Sequence, residues 1–341
     1  MAESSIIDER RVDASPAAAG TPSVSTSAPH AQRVRGRGLL APISLQVIAM
    51  LGIGALLYPT AAGWFATLGH DSEISGYTEA VGRLSDATRT AKLEAARAYN
   101  ATLPAGVLRD PYTAGSQEAA TADADAYAAY QRVLQIDGTD AIGTLSYSAI
   151  GVALPIYAGT DDATLRRGVG HLFGSSLPIG GASTHSVLTS HSGLINASLF
   201  TPLTRAQAGD TFQISVLGET HNYQVSGIET VSPEDTDSLQ VVAGQDLVTL
   251  VTCTPIGINS HRLLVHATRI ADDAAGTAQT IAGDGRTAGF PWWAVIFVAA
   301  SGVMAWLLFR PVRARTAPAG ATGTAVAPSA ADTDSAQELD A

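Results

Sequence analysis

Two long apolar runs lie towards the two ends of the chain. The first extends from Leu39 to about Tyr58 and the second from Phe290 to Phe309. Each is about 20 residues long, the length that an α-helix needs to cross a bilayer. Arginines flank the side of each run that faces a chain terminus, namely Arg33, Arg35 and Arg37 before the first run and Arg310, Arg313 and Arg315 after the second. Because cationic residues stay in the cytoplasm, the pattern predicts transmembrane helices over 39–58 and 290–309, with both termini cytoplasmic and the residues between them extracellular.

The first apolar run has an alternative interpretation as a cleaved signal peptide, because the small residues Thr60, Ala61 and Ala62 follow it. The segment of nearly forty residues before the run is long for a signal peptide, so we favour an anchor. Residues 1–38 are rich in Ala, Ser, Thr and Pro without apolar periodicity, and residues 310–341 form a basic, low-complexity segment. We expect both segments to be disordered cytoplasmic tails.

The segment after the first run has a helical pattern. Apolar residues recur at three-to-four spacing over 73–100, which predicts an amphipathic helix, and a second helix is predicted over about 117–134. Between them, residues 103–116 contain two prolines and two glycines and predict a loop. We therefore expect a helical arm over residues 72–134.

From Ile142 onward the pattern changes to a period of two. Phe212, Ile214 and Val216 alternate with polar residues, and short β-prone runs separated by Gly, Pro and Asp continue to about Ile270. This is typical of an antiparallel barrel or sandwich. We expect a β domain over residues 135–272, and the protein as a whole is predicted to be mainly β.

Composition argues against a nucleic-acid partner, a disulfide and a metal site made of several thiolates. The formal net charge is −11, and a nucleic-acid partner requires a basic face, so we expect none. Cys253 is the single cysteine, which excludes an intramolecular disulfide and a site built from several thiolates.

Cys253 ends a strongly β-prone run, and a new β-prone run begins at His261. The residues between them include Pro, Gly and Asn and must turn. If the two runs pair as a hairpin, Cys253 and Arg262 lie close together at its loop end. A guanidinium there would favour the thiolate and could stabilise an oxyanion. The alternative is a core cysteine beside a surface arginine.

Cysteine nucleophiles need an acid–base partner, which is usually histidine. His191 follows a predicted strand and leads into a loop, a suitable position for that role, and His185 is a second candidate. Most histidines on a barrel are only polar surface groups, so neither is decisive by its position. A metal site built from the two is disfavoured, because no nearby carboxylate or third histidine completes it.

Several segments together resemble the class C, pilus-assembling sortases of Gram-positive bacteria. The resemblance extends over roughly residues 72–271. Its most specific part is Thr249 to Cys253 followed by Asn259 to Leu263, and the other matching segments are 110–112, 154–160, 168–172, 177–181, 185–194, 199–200 and 209–210. Two departures occur beside the site. This chain has Ser190 and Ser192 around His191 where many relatives have Gly and Arg, and Ile256 where many have Tyr.

The resemblance implies a closed eight-stranded β-barrel with a helical arm and two flanking transmembrane helices. It implies that Cys253 attacks the Thr–Gly bond of an LPXTG-like sorting signal, that His191 transfers protons, and that Arg262 holds the substrate and the oxyanion. The second nucleophile would be a pilin lysine, so the implied enzyme is a thiol transpeptidase that builds covalent pili. Neither a metal nor a cofactor is expected.

The resemblance also implies a lid over the site, formed by Asp110, Pro111 and Tyr112. Asp110 could pair with Arg262 and Tyr112 could lie beside the thiol, whereas without the resemblance an ordinary surface turn would be preferred. Candidate residues of the substrate groove are Thr252, Thr254 and Asn259.

Two other functions remain as alternatives. The first is a sortase that attaches single surface proteins to peptidoglycan, for which a cell-wall precursor would be a partner. The second is a catalytically silent membrane scaffold, against which the intact Cys253, His191 and Arg262 argue. The aromatic residue of the 110–112 segment favours the pilus class over the first alternative.

Overall fold

The computed structural model describes residues 39–103, 108–112, 124–271 and 288–310. The tail predicted over 1–38, all of the 310–341 tail except Arg310, and the final residue of the 135–272 domain lie outside the described residues. The same holds for 104–107 and 113–123, which belong to the predicted loop and to the start of the helix predicted over 117–134.

Five helices are found in the described residues. They are α1 (Leu40–Gly82), α2 (Asp86–Thr102), α3 (Ala124–Val133), α4 (Asp162–Arg167) and α5 (Trp292–Phe309), with short 3-10 turns at Ser148–Ile150, Thr201–Arg205 and Asp237–Leu239. The first apolar run and the start of the arm are one continuous helix of 43 residues. The amphipathic helix expected over 73–100 is divided, because a new helix begins after Ser85, whose side chain accepts a hydrogen bond from Thr88 N (3.1 Å) and caps it.

Eight strands form a closed barrel, which confirms the predicted fold. They are β1 (Ala141–Tyr147), β2 (Val152–Ala158), β3 (Val169–His171), β4 (Thr184–Thr189), β5 (Thr211–Val216), β6 (Glu219–Val231), β7 (Asp246–Thr254) and β8 (His261–Arg269). Their spatial order is β1-β2-β3-β4-β7-β8-β6-β5, and β5 pairs with β1 to close the ring. The β2–β3 and β4–β7 pairs are parallel and the others are antiparallel. Helix α4 makes the crossover between the parallel strands β2 and β3, near the end of β4.

The barrel interior is packed with large apolar side chains. Phe212, Ile214 and Val216 are buried on β5, as the alternation predicts. The Phe212 ring lies 5.5 Å from the Tyr147 ring and 5.7 Å from the Tyr223 ring, measured between centroids. The first contact joins β5 to β1, which is distant in sequence, and the second joins β5 to the next strand, β6, so that together they support the register of the closed sheet.

Helices α1 and α2 are docked on the barrel by buried hydrogen bonds. The Tyr77 hydroxyl donates to Ile142 O (3.0 Å) and accepts from Leu217 N (2.8 Å). The Asn100 amide makes two bonds to the Leu177 backbone, at 2.7 and 3.2 Å. Because α1 is continuous, the Tyr77 bonds connect the barrel to the apolar part of the same helix.

The apolar part of α1 packs beside α5. Gln46 Nε2 donates to Ser301 O (3.1 Å), and Trp64 Nε1 donates to Gly289 O (2.6 Å). Gln46 is near the start of α1 and Ser301 is well inside α5, whereas Trp64 meets the start of α5, so the two helices are antiparallel. Both are long and apolar enough to cross a membrane. Their large side chains, such as Leu51 and Val298, are exposed to the surroundings.

His171 forms a buried polar network beneath the arm. Its Nε2 lies 2.8 Å from Ser176 O, so this nitrogen carries the proton, and Nδ1 lies 2.8 Å from the Tyr130 hydroxyl. The same hydroxyl accepts from Gly159 N (3.0 Å). Complete burial lowers the pKa of His171 to about 4, because the surrounding protein disfavours the imidazolium; the bond to Ser176 opposes this only in part.

We predict that His171 makes the fold sensitive to mild acid. Its pKa is lower in the folded protein than the ordinary value near 6.5, so its contribution is present above that value and is lost as the pH falls towards 4. The full contribution is about 3 kcal/mol. His171→Gln, which keeps an N–H donor but does not titrate, should be less stable than the wild type at pH 7.5, and this gap should narrow towards pH 4.5. The free energy of unfolding measured across that range checks this, and a constant gap would contradict it.

Candidate active site

The hairpin of β7 and β8 brings Cys253 and Arg262 together. The two residues are directly paired in the antiparallel register, as the sequence predicts for a hairpin. The turn is closed by bonds from Ile258 N and Asn259 N to Pro255 O, at 3.0 and 2.9 Å. Both Cys253 and Arg262 are 7% exposed, so thiol and guanidinium share a nearly dry environment where their mutual influence is strong.

Asp110 forms an ion pair with the guanidinium of Arg262. Arg262 Nε donates to Asp110 Oδ1 (2.7 Å) and Nη2 donates to Oδ2 (2.8 Å), a bidentate pair of which both side chains are buried. The remaining nitrogen, Nη1, lies 3.1 Å from Asn259 O and 3.2 Å from His261 O. All three guanidinium nitrogens therefore have acceptors within the protein, and a ligand that binds Arg262 through its fork must displace Asp110.

The Cys253 thiol is held in its neutral form by this arrangement. Burial raises its pKa, and the Asp110 carboxylate raises it further, while Arg262 acts in the opposite direction. Burial is the largest of the three effects. A nucleophilic thiolate is therefore disfavoured in this state, mainly by burial and additionally by Asp110.

His191 follows β4 and is fixed from both sides by its serine neighbours. Ser190 Oγ donates to Gly168 O (2.6 Å), at the end of helix α4, and Ser192 Oγ donates to Cys253 O (2.6 Å). The second bond connects the backbone of the histidine loop to the backbone of the cysteine. The two residues that depart from the pattern of many relatives thus make direct bonds that position the loop.

The His191 ring also contacts a carboxylate that sequence reasoning missed. His191 Nε2 lies 3.2 Å from Asp162 Oδ1, on helix α4. Partial burial lowers the pKa of His191, and Asp162 counteracts this by stabilising the imidazolium. The contact depends on the β2–β3 crossover, and the only sequence signal for it is the pair of acidic residues at the start of α4.

Tyr112 lies across the site and contacts both His191 and Arg262. Its ring centroid is 5.8 Å from that of His191 and 5.1 Å from Arg262 Cζ. Its hydroxyl faces the Ser190 and Val251 carbonyl oxygens, the latter at 3.2 Å. Ser190 belongs to the histidine loop and Val251 to the β7–β8 hairpin, so Tyr112 closes the space between the loop and the hairpin.

Neighbouring contacts hold the 108–112 segment in place. Pro111 is buried, and Leu108 packs on an apolar cluster that includes Leu239. Leu108 O accepts a hydrogen bond from Thr236 Oγ1 (2.8 Å), in the β6–β7 connection. All three predicted lid residues are thus inside this segment, and two of them contact candidate catalytic side chains.

His185 has a different environment from His191. It is buried, with Nδ1 2.8 Å from Gln240 O and Nε2 2.7 Å from Thr249 Oγ1. Thr249 is four positions before Cys253 on β7, roughly 13 Å along the strand. The two bonds hold the His185 ring at that distance from the hairpin end, whereas His191 contacts Tyr112 there.

The three groove candidates differ in exposure. Thr252 is completely buried and its hydroxyl donates to Ser190 O (2.8 Å), so its side chain faces the interior and not a groove, because side chains alternate along β7. Thr254 is half-buried and Asn259 is exposed. Within the described residues, no group of three or more His, Cys, Asp or Glu side chains is suitably placed to hold a metal ion.

Comparisons with known proteins identify a matching family and similar solved structures. Residues 145–270 match the family described as "Sortase domain". Sortase C1 of Streptococcus agalactiae is 41% identical, with a TM-score of 0.53, and the match covers 62% of this chain and 98% of that one. A sortase C of Streptococcus pneumoniae, described with reference to its catalysis and pilin substrate specificity, is 38% identical, with a TM-score of 0.52 and a coverage of 58% and 96%.

A curated relative is more distant. "Sortase A" of Streptococcus agalactiae is 29% identical over 129 residues, which are 37% of this chain and 51% of that protein. The match thus spans about half the length of this relative.

Proposed function

The chain belongs to the sortase family, and from this membership and the contacts around Cys253 we propose that it is a cysteine transpeptidase acting on sorting signals of the LPXTG type. The observation that supports this most directly is the register pair of Cys253 and Arg262, connected through Ser192 to the His191 loop. The thiol, the imidazole and the guanidinium can serve as nucleophile, acid–base group and oxyanion donor, the three roles used in acyl transfer from a peptide.

In the proposed reaction the Cys253 sulfur forms a bond to the carbonyl carbon of the signal threonine. The Thr–Gly C–N bond then breaks, and His191 gives a proton to the leaving glycine amine. An incoming amine attacks the thioester, returns a proton to His191, and displaces the Cys253 thiolate. Arg262 donates to the developing oxyanion in both steps.

We assign a pilin lysine as the incoming amine. The support is the similarity over nearly the whole length of a sortase C for which pilin substrate specificity is described, together with the aromatic lid segment. The product would be an isopeptide-linked polymer. The competing outcome, attachment to a cell-wall precursor, differs only in the amine that resolves the thioester.

The two apolar helices place the enzyme at the membrane in this proposal. We assign 39–58 and 290–309 to the membrane, both tails to the cytoplasm, and the 72–134 arm and the 135–272 barrel to the outside. The antiparallel packing of α1 and α5 supports this, because it puts the start of α1 and the end of α5, with their flanking arginines, on the same side. The continuity of α1 would hold the barrel close to the bilayer.

We further propose that residues 108–112 form an autoinhibitory lid. Asp110 neutralises Arg262 and disfavours the thiolate, and Tyr112 lies against His191, so the closed state impairs all three groups. Opening leaves Arg262 free for the substrate. It also removes the carboxylate that raises the pKa of the thiol.

The assignment of the catalytic groups predicts the behaviour of three variants. Wild-type protein incubated with a sorting peptide should form an acyl adduct on Cys253, detected as a mass increase that hydroxylamine reverses. Cys253→Ala should form none. His191→Ala should lower the turnover rate by about 10²–10⁴-fold, because acid–base assistance is lost.

His185→Ala is the matched control, since it removes an imidazole that contacts Gln240 and Thr249 and not the hairpin end. The turnover rate of His185→Ala, divided by the folded fraction measured by circular dichroism, should be close to that of the wild type. Peptide turnover by Cys253→Ala above background, or a larger loss in His185→Ala than in His191→Ala, would refute the assignment.

The lid predicts faster modification of the single thiol. Asp110→Ala combined with Tyr112→Ala removes the ion pair and the aromatic cover, so Cys253 should react faster with iodoacetamide and with a free sorting peptide. The rate constant for loss of free thiol measures this. Asp235→Ala, which removes an exposed carboxylate from the neighbouring β6–β7 connection, should label at the wild-type rate. Equal labelling of the double variant and the wild type would mean that the segment does not protect the thiol.

A further inference from the structure

A carboxylate on the crossover helix bridges the candidate histidine and an arginine. Asp162 Oδ1 lies 3.2 Å from His191 Nε2, and Asp162 Oδ2 accepts from Arg166 Nε at 2.7 Å. The neighbouring Asp161 has a separate task, because its side chain caps α4 through Thr164 N (3.0 Å) and Thr164 Oγ1 (2.7 Å). Of the two consecutive acids, only Asp162 is therefore directed at the histidine.

The fold holds this contact in place. Ser190 Oγ donates to Gly168 O, the residue that ends α4, so the residue before His191 is bonded to the same short helix that carries Asp162. The helix and the histidine loop are thus joined at two points, one through the backbone and one through the ring. The position of the Asp162 carboxylate is therefore set by the helix that connects β2 and β3.

The contact determines which ring nitrogen is available for chemistry. A carboxylate accepts hydrogen bonds, so His191 Nε2 must carry a proton to bond to Asp162. In the neutral ring the lone pair is then on Nδ1. Proton exchange with the thiol or with an amine would take place at Nδ1, while Nε2 remains bonded to Asp162.

We propose that Asp162 is a positioning residue, which fixes the His191 ring with Nδ1 free and stabilises its protonated form during acyl transfer. This rests on the proposed function, because it assigns His191 to proton transfer. Asp162 touches neither the thiol nor Arg262 in the described contacts and acts only through the histidine. Arg166 acts against it, since its positive charge disfavours the imidazolium.

The consequence is a specific change in the pH profile. The pKa of Cys253 is raised and that of His191 is lowered, so the thiolate–imidazolium pair is a minor form between the two values. Loss of Asp162 would lower the pKa of His191 further and make the pair rarer. The plateau of kcat/KM should then fall, whereas on the acidic limb, where His191 is already protonated, mutant and wild type should converge.

The experiment compares Asp162→Asn with the wild type in the full-length protein, using a sorting peptide from pH 5 to pH 9. The plateau of kcat/KM should fall about two- to fivefold, as expected for one exposed carboxylate. The midpoint of the acidic limb should move to lower pH, to a proton concentration higher by the same factor. Asp162→Glu should restore much of the loss. A fall by the same factor at every pH would indicate a merely structural role and overturn the proposal.

Two further variants separate the contact from general charge effects. Asp161→Ser removes the adjacent carboxylate but keeps a residue that caps helices well, and its profile should match the wild type. Arg166→Gln should raise the plateau, because it removes the opposing cation. If Asp161→Ser reproduces the effect of Asp162→Asn, the contact with His191 is not its cause and the proposal fails.

An NMR titration of the His191 imidazole distinguishes failure of this inference from failure of the proposed function. The titration reports protonation of the ring without any need for turnover, and its midpoint should move to lower pH in Asp162→Asn, by about a two- to fivefold change in the proton dissociation constant. If the wild type does not turn over the peptide but the midpoint moves in this way, the function is wrong and the coupling of Asp162 to His191 stands. An unchanged midpoint in Asp162→Asn overturns the coupling itself.

Discussion

The guanidinium of Arg262 is the group on which the rest of the site depends. It is paired in register with Cys253 across the β7–β8 hairpin and bound in bidentate fashion by Asp110. A buried charge without a partner is costly, so Arg262 needs an anion or several acceptors at every stage. In the closed state Asp110 supplies them, and in the proposed reaction the substrate oxyanion would do so. The exchange of one partner for the other links access to the site with the reactivity of the thiol.

Hydrogen bonds to the backbone determine the geometry around that cation. Ser192 connects the histidine loop to Cys253 O, and Ser190 connects it to the crossover helix. Tyr112 fits between the loop and the hairpin because its hydroxyl faces carbonyl oxygens of both. Cys253 lies on β7, Arg262 on β8 and His191 in the loop that follows β4, and these three strands are adjacent in the barrel. Two of the side chains therefore rest on strands, the bonds of Ser190 and Ser192 hold the third, and in the proposed reaction only the lid segment must move.

Local patterns were sufficient to predict the elements that carry the site. The alternation over Phe212 to Val216 identified an inward-facing strand, and the Pro, Gly and Asn of the turn placed Cys253 beside Arg262. Non-local features could not be read in this way. Helix α1 extends through the predicted boundary near residue 58 and ends at Gly82. The next helix starts at the Ser85 cap. The contact of Asp162 with His191 follows from a crossover that no local periodicity encodes, and Thr252 faces the interior because its position on β7 alternates with that of Cys253.

The most direct test of the account is a double-mutant cycle between Asp110 and Arg262, read from the labelling rate of Cys253. Asp110→Asn, Arg262→Gln and the double variant would be compared with the wild type in the full-length protein, with each rate corrected to the fully ionised thiolate. If the ion pair closes the lid, Asp110→Asn accelerates labelling when Arg262 is present and has little further effect in the Arg262→Gln background. An equal acceleration by Asp110→Asn in both backgrounds would show that Asp110 does not act through Arg262, and would contradict the account.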